Sequence, residues 1–351
     1  MKKKSKVIIG LVIALVILFL LLTGITLLVM HMNFGRGDYP EDRSSRNTAF
    51  GWYPAFAADH PRQEVEFPSG DLNLKGWIYG AENTDRLLVF AHGISSGHEA
   101  YVNQLLWFAD HGWCVFAYDA AGSGDSPGDS TKGLVQSAID LDSALTYVEQ
   151  DPTLGKMPVY LLGHSWGGYA VGAVLNFDHN IRAAVSLSGY ADPKEMLRRG
   201  TELAVGKAGA YAFYPFALIY HKLTFGSLSG FNAVDGINKA NIPFLAMHGE
   251  SDAFVGYDLG IISQKERITN PQAEYLPITG EFSHHNDYFH SEECNREVAA
   301  RITDDSLTSL TQEQKLGIFS ENYASDADKA LFRAVNEPLL ESIEAFYDKN
   351  S

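Results

Sequence analysis

Residues 159–170 read Val-Tyr-Leu-Leu-Gly-His-Ser-Trp-Gly-Gly-Tyr-Ala, a largely apolar run followed by a glycine-rich run around Ser165. The residues before Gly163 suit a buried strand, and those after Ser165 suit a helix. Gly163 and Gly167 lie two positions either side of the serine, where a Cβ would collide across a sharp strand-to-helix turn. We therefore interpret Ser165 as a nucleophile held on such a turn.

The Gly-x-Ser-x-Gly pattern on its own is a weak signal, because a chain of this composition meets it by chance. The segment 93–97 matches the same pattern around Ser95, also after a predicted strand. We favour Ser165, because a tetrahedral anion needs backbone N–H donors from the residue after the serine and from a loop after an earlier strand. Residues 92–94 form such a loop for Ser165, whereas Ser95 is preceded only by a hairpin.

Outside this motif, short apolar runs that suit buried strands alternate with runs of helical spacing, a pattern that indicates an α/β sheet. Strands are predicted at 64–67, 72–79, 87–91, 113–118, 159–162, 183–187, 244–247 and 274–278. Helices are predicted at 99–110, 131–149, 166–176, 257–268 and 326–347. The first two strands read as an antiparallel hairpin. We predict a mostly parallel, roughly eight-stranded sheet with helices on both faces.

The alternation covers one predicted domain, residues 63–351. Within it, residues from about 190 to 240 form a helical insert rich in aromatic side chains. This insert is either an ordinary packed subdomain or a cap over a pocket. Residues from about 291 to 351 form a predicted helical C-terminal extension, with helix-capping patterns at 311–314 and 325–328.

A membrane segment is predicted near the N-terminus. Residues 7–30 are 24 positions without a charge, about 36 Å as a helix and enough to cross a hydrocarbon layer of about 30 Å. The basic tail, residues 1–6, is expected to stay in the cytoplasm. A cleaved signal peptide is the competing interpretation, but the run is long and no small-x-small cleavage pattern follows it. We therefore predict a single-pass signal-anchor in the cell membrane, with residues 31–62 as a linker that docks onto an extracytoplasmic domain.

Composition and charge exclude several classes of protein. The formal charge of −16 argues against nucleic acid as a partner. Two cysteines, Cys114 and Cys294, are too few for a disulfide scaffold or a thiolate zinc site. The acidic and histidine clusters at 119–129 and 284–292 lack the spacings of calcium and zinc motifs. We therefore expect no metal ion and no cofactor.

A catalytic serine needs a base that is itself held by an acid. Residues 242–252 form a predicted strand that ends in a turn with Asp252. Residues 275–287 form a predicted strand followed by a loop with His284 and His285. The chain order serine, aspartate, histidine is the order that a catalytic triad follows on sheets of this kind. From spacing alone, either histidine can serve as the base.

These motifs together resemble the α/β-hydrolase superfamily, particularly its bacterial membrane-anchored Bem46-like and serine-aminopeptidase-like members. The residues that carry the resemblance lie in the segments 92–93, 118–126, 163–167, 248–252 and 285–287. The resemblance implies that Ser165 is the nucleophile, His285 the base and Asp252 the acid that orients it. It also implies that the backbone N–H groups of Ile94 and Trp166 form the oxyanion hole. Four further residues of the motifs support these loops: His92, Gly93, Gly163 and Gly167.

Three functions compete on these observations. The first is a serine hydrolase that cleaves carboxylic esters through an acyl-enzyme, with a hydrophobic acyl or other small-molecule substrate suited to the aromatic insert. The second is a peptidase or amidase, because the same machinery cleaves amides. The third is an inactive, membrane-tethered binding module, a role that does not require an intact serine–histidine–aspartate pattern. We expect the ester hydrolase.

Overall fold

The computed structural model describes residues 2–39, 52–302 and 325–351. Its centre is one sheet of eight strands. These are β1 Arg62–Ser69, β2 Leu72–Tyr79, β3 Leu87–Ala91, β4 Cys114–Tyr118, β5 Val159–His164, β6 Ile181–Leu187, β7 Phe244–Gly249 and β8 Ala273–Ile278. Across the sheet the strands lie in the order β1-β2-β4-β3-β5-β6-β7-β8.

Most of the sheet is parallel. β1 and β2 form the predicted antiparallel hairpin, and β2 also pairs antiparallel with β4. Every other neighbouring pair, from β4–β3 to β7–β8, is parallel. β3, β4, β5 and β7 are buried along their whole length, as strands of a parallel sheet are when helices cover both faces. The predicted fold class is confirmed.

Helices pack on both faces of this sheet. The helices of the described residues are α1 Lys2–Asn33, α2 Val102–Asp110, α3 Gln136–Gln150, α4 Trp166–Ala173, α5 Pro193–Phe225, α6 Ala233–Ala240, α7 Glu292–Ile302, α8 Asp326–Arg333 and α9 Glu337–Lys349. One face buries apolar residues of α3, α4 and α6, and the other face buries those of α2 and α9. The C-terminal helix α9 is tied to the centre of the sheet, because the Tyr347 hydroxyl donates a hydrogen bond to the Leu161 carbonyl at 2.7 Å.

Two predicted helices differ from the structure. The helix predicted at 257–268 is wrong, since this segment contains only a 3-10 turn at Ile261–Ser263. The residue just before this segment, Gly256, has a positive φ of 74°, which lies outside the helical region. The single helix predicted at 326–347 is two helices, α8 and α9. Asn336 caps α9 by accepting a hydrogen bond from the Leu339 N–H at 3.3 Å, which fixes a new start there.

The helical insert lies between β6 and β7 and consists mainly of α5. A kink at Gly206, with φ 72°, divides α5 into two arms, residues 193–205 and 207–225. Pro193 at the start and the Asp192 side chain, which accepts from the Lys194 N–H at 2.8 Å, fix where the first arm begins. The capping pattern predicted at 325–328 is present, because Ser325 Oγ accepts from the Asp328 N–H at 3.2 Å. The pattern at 311–314 lies outside the described residues.

The N-terminal helix α1 is long and apolar enough over Ser5–Asn33 to cross a membrane, as some signal sequences also are. Its end is attached directly to the domain by residues 34–39, which we call the strap. Phe34 is buried, and its carbonyl accepts a hydrogen bond from the Thr131 N–H at 2.8 Å. The Arg36 guanidinium donates to three carbonyls of the loop after β4, those of Gly124, Ser126 and Gly128.

Candidate active site

Ser165 occupies the sharp turn between β5 and α4. Its backbone has φ 56° and ψ −112°, a conformation that non-glycine residues rarely adopt and that is common where a functional side chain is held out from a turn. The flanking glycines are required by close backbone approach. A Cβ on Gly163 would lie 2.2 Å from the Gly167 carbonyl oxygen, and one on Gly167 would lie 1.9 Å from that of Ala91. The Gly-x-Ser-x-Gly pattern therefore reflects steric necessity at this turn.

Asp252 lies in the turn after β7 and its carboxylate is buried. One oxygen, Oδ1, accepts hydrogen bonds from the N–H groups of Phe254 and Val255 at 2.9 and 3.1 Å. The other, Oδ2, lies 2.6 Å from His285 Nδ1 and 3.3 Å from His248 Nε2. Burial alone would raise the pKa of Asp252, but the two histidines lower it well below its ordinary value. The carboxylate is therefore ionised at neutral pH.

The two adjacent histidines of the last loop point to different partners. His285 faces Asp252, and its side chain is 13% exposed. His284 is 61% exposed and pairs with Asp287 at 2.8 Å, within its own loop. Because His285 Nδ1–H donates to the carboxylate, its Nε2 is the nitrogen without a proton in the neutral ring. His285 is thus the histidine arranged to accept a proton.

A hydrogen-bond chain connects the loop after β3 to the loop of His285. The Gly93 N–H donates to the Tyr101 hydroxyl at 3.2 Å, and that hydroxyl donates to His164 Nδ1 at 2.8 Å. His164 Nε2–H in turn donates to the His285 carbonyl at 3.0 Å. Burial holds the pKa of His164 well below its ordinary value, so the ring is neutral and has one donor and one acceptor, as the chain requires.

His92 stabilises the loop that the sequence assigned to the oxyanion hole. Its Nε2 accepts from the Ala120 N–H at 2.9 Å, so its Nδ1–H donates to the Gly93 carbonyl at 2.7 Å. Burial lowers the pKa of His92 and favours this neutral form. A Cβ built on Gly93 would lie 3.6 Å from the Ser165 Cβ, so the loop passes directly beside the serine.

The predicted donors of the oxyanion hole lie on the two sides of Ser165. Trp166 is the first residue of α4, where backbone N–H groups have no partner within the helix. Its ring is buried and its Nε1–H donates to the Leu134 carbonyl at 2.9 Å, which fixes the first turn of α4. Ile94 is half-buried in the turn that follows Gly93. Both predicted N–H groups thus belong to segments that border the serine.

Ser95, the serine of the competing motif, also has a φ of 56° but a different environment. It is exposed and lies in a loop before a 3-10 turn, His98–Tyr101. A Cβ on Gly37 of the strap would lie 2.9 Å from the Ser95 Cα, so the strap passes against this loop. The loop of His285 lies beside the Ser165 turn, because its carbonyl accepts a hydrogen bond from His164 Nε2–H at 3.0 Å. The buried pair nearest to Ser95 in the sequence, His98 and Asp119, has both histidine nitrogens occupied, Nδ1 by Asp119 and Nε2 by the Tyr79 hydroxyl.

Three residues of the site were not identified from the sequence. His164 is the variable position of the Gly-x-Ser-x-Gly motif, directly before Ser165, and His248 lies four residues before Asp252. Their closeness in sequence to a predicted catalytic residue was the only indication of a role for either histidine. Tyr101 lies in the segment between β3 and α2 and had no signal in the sequence. Among the described residues, no group of three or more His, Cys, Asp or Glu side chains is arranged to hold a metal ion.

The comparison with known sequences identifies relatives over part of the chain. Residues 82–214 match the family described as serine aminopeptidase, S33. The chain is 29% identical over 140 residues to a polyketide transferase, grgF, of Penicillium sp., with 39% of this chain and 48% of that protein covered. It is 30% identical over 138 residues to a proline iminopeptidase of Chitinophaga pinensis, with 38% and 45% covered. The chain thus spans about half the length of these curated relatives.

Solved structures show the same architecture. An esterase of Pyrococcus furiosus, Pf2001, superposes with a TM-score of 0.53 at 18% identity, and the match covers 83% of this chain and 100% of the esterase. The α/β hydrolase GrgF of Penicillium sp. sh18 superposes with a TM-score of 0.50 at 22% identity, over 70% of this chain and 97% of its own. At these identities the likeness concerns the fold. The Bem46-like part of the resemblance stays a prediction.

Proposed function

We propose that this chain is a member of the α/β-hydrolase superfamily and a membrane-anchored serine hydrolase that cleaves carboxylic esters. The observation that supports the proposal best is the 2.6 Å contact between His285 and the buried Asp252, next to the turn that holds Ser165. A buried carboxylate that orients a histidine beside a serine on a strained turn is the arrangement that makes a serine nucleophilic. A protein that only binds ligands has no need of it.

In the proposed reaction, His285 Nε2 takes the proton of Ser165 while the serine oxygen attacks the ester carbonyl. Asp252 keeps Nδ1 protonated and stabilises the imidazolium that forms. His285 then gives the proton to the leaving alcohol, and the acyl group stays on Ser165. A water molecule, deprotonated by the same Nε2, attacks the acyl-enzyme, and Nε2 returns that proton to the Ser165 oxygen as the acid leaves.

The negative charge of the tetrahedral intermediate would be stabilised by the backbone N–H groups of Ile94 and Trp166. Loss of one such donor typically costs about 10²–10³ in kcat. The chain from Gly93 through Tyr101 and His164 to the His285 carbonyl keeps the donor loop and the base loop in a fixed relation. We therefore assign Tyr101 and His164 as positioning residues.

We also propose that α1 is an uncleaved anchor, with the basic tail in the cytoplasm and the catalytic domain outside it. The direct attachment of α1 to the domain supports this. Thr26 and Met30 of α1 and Phe34 of the strap are buried against the domain, so that removal of α1 as a signal peptide would expose apolar surface.

A fluorophosphonate probe on the full chain tests the serine. Ser165→Ala should abolish labelling and lower ester hydrolysis by more than about a thousandfold, as loss of a triad serine does. Ser95→Ala is the matched control, because it removes the serine of the second Gly-x-Ser-x-Gly motif and should leave labelling intact. Labelling that persists in Ser165→Ala and disappears in Ser95→Ala would overturn the assignment.

The second candidate function is a serine peptidase, which the description of the matched family and the proline iminopeptidase relative both favour. A panel that pairs p-nitrophenyl esters with aminoacyl p-nitroanilides distinguishes the two functions. We expect a higher kcat/KM on the esters. A higher kcat/KM on an aminoacyl anilide, lost in Ser165→Ala, would establish the peptidase instead.

A further inference from the structure

The second arm of α5 carries an unusual apolar surface. Residues 208–221 contain no acidic residue, lysine or arginine, and five of these 14 residues are Tyr or Phe. Several apolar side chains of α5 are open to solvent, with Tyr211 87% and Leu223 80% exposed and Leu203 and Ile219 also exposed. An uncharged helical stretch of 10–14 residues is typical of a buried core helix or of a segment that lies in a membrane interface. Only one side of this stretch is exposed, at Tyr211 and Ile219, whereas the other side contacts the domain, where the Tyr220 hydroxyl donates to the Lys132 carbonyl at 2.8 Å. A core helix would be buried on all sides, so the exposed side favours a membrane interface.

This arm lies alongside the anchor helix. At one end, a Cβ on Gly133 would be 3.1 Å from the Phe225 ring and 3.9 Å from the Phe34 ring, so the C-terminal ends of α5 and α1 meet. Further along, the Phe216 and Phe19 rings pack with their centroids 5.4 Å apart. Phe19 is near the middle of the uncharged stretch of α1. If α1 crosses the bilayer, a residue packed on Phe19 lies within the hydrocarbon layer.

The charges of α5 are distributed as this placement requires. Lys207 and Lys222 flank the uncharged stretch, and lysines at such positions reach the headgroups while their stems stay in apolar surroundings. The first arm carries paired charges, and one of these pairs connects it to the domain. Arg198 contacts Glu195 and Glu202 at 2.8 Å, and Arg199 contacts Asp258 at 2.6 Å, in the loop that begins with Asp252.

We propose that the second arm of α5 is immersed in the lipid bilayer beside α1, and that the substrate is an ester with a long acyl chain that enters the active site from the membrane. The substrate part of this inference rests on the proposed serine hydrolase function. The first arm links the immersed surface to the loop of Asp252. In that loop, Phe254 is exposed next to the His285 ring, with centroids 5.0 Å apart, and offers an apolar contact for the chain.

A depth measurement tests the immersion without any need for activity. Cys114 and Cys294 are buried, so a cysteine introduced at an exposed position can be labelled with the environment-sensitive fluorophore NBD. The full chain with Tyr211→Cys or Leu223→Cys is reconstituted in phosphatidylcholine vesicles, and Leu276→Cys on β8 is the control, since Leu276 is also an exposed leucine. We expect spin-labelled lipid to quench NBD at 211 and 223, and aqueous iodide to quench it at 276. Iodide quenching at all three positions would overturn the proposal.

A pair of substrates tests the acyl chain. The double variant Tyr211→Glu/Leu223→Glu should hydrolyse 4-methylumbelliferyl oleate in vesicles at least about tenfold more slowly, because two charges oppose insertion. Hydrolysis of water-soluble 4-methylumbelliferyl acetate should be unchanged, as should both activities of Leu276→Glu. Unchanged oleate hydrolysis in the double variant contradicts entry from the membrane. If the unsubstituted chain hydrolyses neither ester, the proposed hydrolase function and its substrate are both wrong. The depth measurement then still tests whether the second arm of α5 lies in the bilayer.

Discussion

Asp119, at the end of β4, offers a quantitative test of how the strap and the loop after β3 are held together. Its buried carboxylate accepts hydrogen bonds at 2.8 Å through Oδ1 from the His98 N–H, from His98 Nδ1 and from the Tyr39 hydroxyl of the strap. Oδ2 accepts from the Asp125 N–H at 2.8 Å. Burial alone would raise the pKa of Asp119, but His98 and these hydrogen bonds lower it to about 2.

The contribution of Asp119 to the free energy of unfolding follows from this pKa. A folded-state pKa of about 2, against an ordinary value of 3.8, corresponds to about 2 kcal/mol of stabilisation at neutral pH. Asp119→Asn removes this contribution. It also replaces one carboxylate oxygen by an amide NH2 group, which would face a backbone N–H donor, and this mismatch costs about a further 1–3 kcal/mol. We expect Asp119→Asn to lower the free energy of unfolding by about 3–5 kcal/mol at pH 7.

The pH dependence has a definite sign. Because the pKa of Asp119 is lower in the folded than in the unfolded chain, its stabilisation is complete above about pH 4 and is lost as the pH falls toward 2. The difference between the unsubstituted chain and Asp119→Asn should therefore shrink by about 1 kcal/mol between pH 7 and pH 3.

Urea unfolding of the full chain in detergent, followed by tryptophan fluorescence, measures both quantities. Asp129→Asn is the matched control, because Asp129 is an exposed carboxylate in the same loop and its loss should change stability by less than about 0.5 kcal/mol. Equal losses for the two variants at pH 7, or a difference that does not depend on pH, would refute the reasoning.

Three further predictions concern the base, the turn and the topology. His285→Ala should lower kcat by a factor close to that of Ser165→Ala, whereas His284→Ala should lower it far less. Steady-state kinetics on a p-nitrophenyl ester measure both effects, and the reverse ranking would make His284 the base. Gly167→Ala should destabilise the fold by about 1–3 kcal/mol in a thermal melt, since its Cβ would lie 1.9 Å from the Ala91 oxygen, and an unchanged Tm would contradict that contact. Protease added to spheroplasts should digest the catalytic domain, and digestion only after lysis would reverse the proposed topology.

The sequence by itself determined the fold class and the positions of most strands. Both follow from local patterns, because a fully buried strand needs an uninterrupted apolar run and the turn at Ser165 needs glycine at 163 and 167. The helix predicted at 257–268 shows the limit of such patterns. Apolar spacing there suggested a helix, but the backbone of this segment pairs instead with the loop after β6, where the Ala191 N–H donates to the Leu259 carbonyl and the Ile261 N–H donates to the Gly189 carbonyl, each at 2.9 Å.

Only the tertiary structure decided which side chains meet. His284 and His285 are equivalent in spacing, and they differ because one faces Asp252 and the other Asp287. Tyr101 joins the site through Gly93, in the loop after β3, and His164, at the end of β5. β3 and β5 are far apart in the sequence and are neighbours only in the folded sheet. Local sequence specifies the conformation of each segment. Contacts between distant segments depend on how the sheet and its helices pack, and no local pattern records that packing.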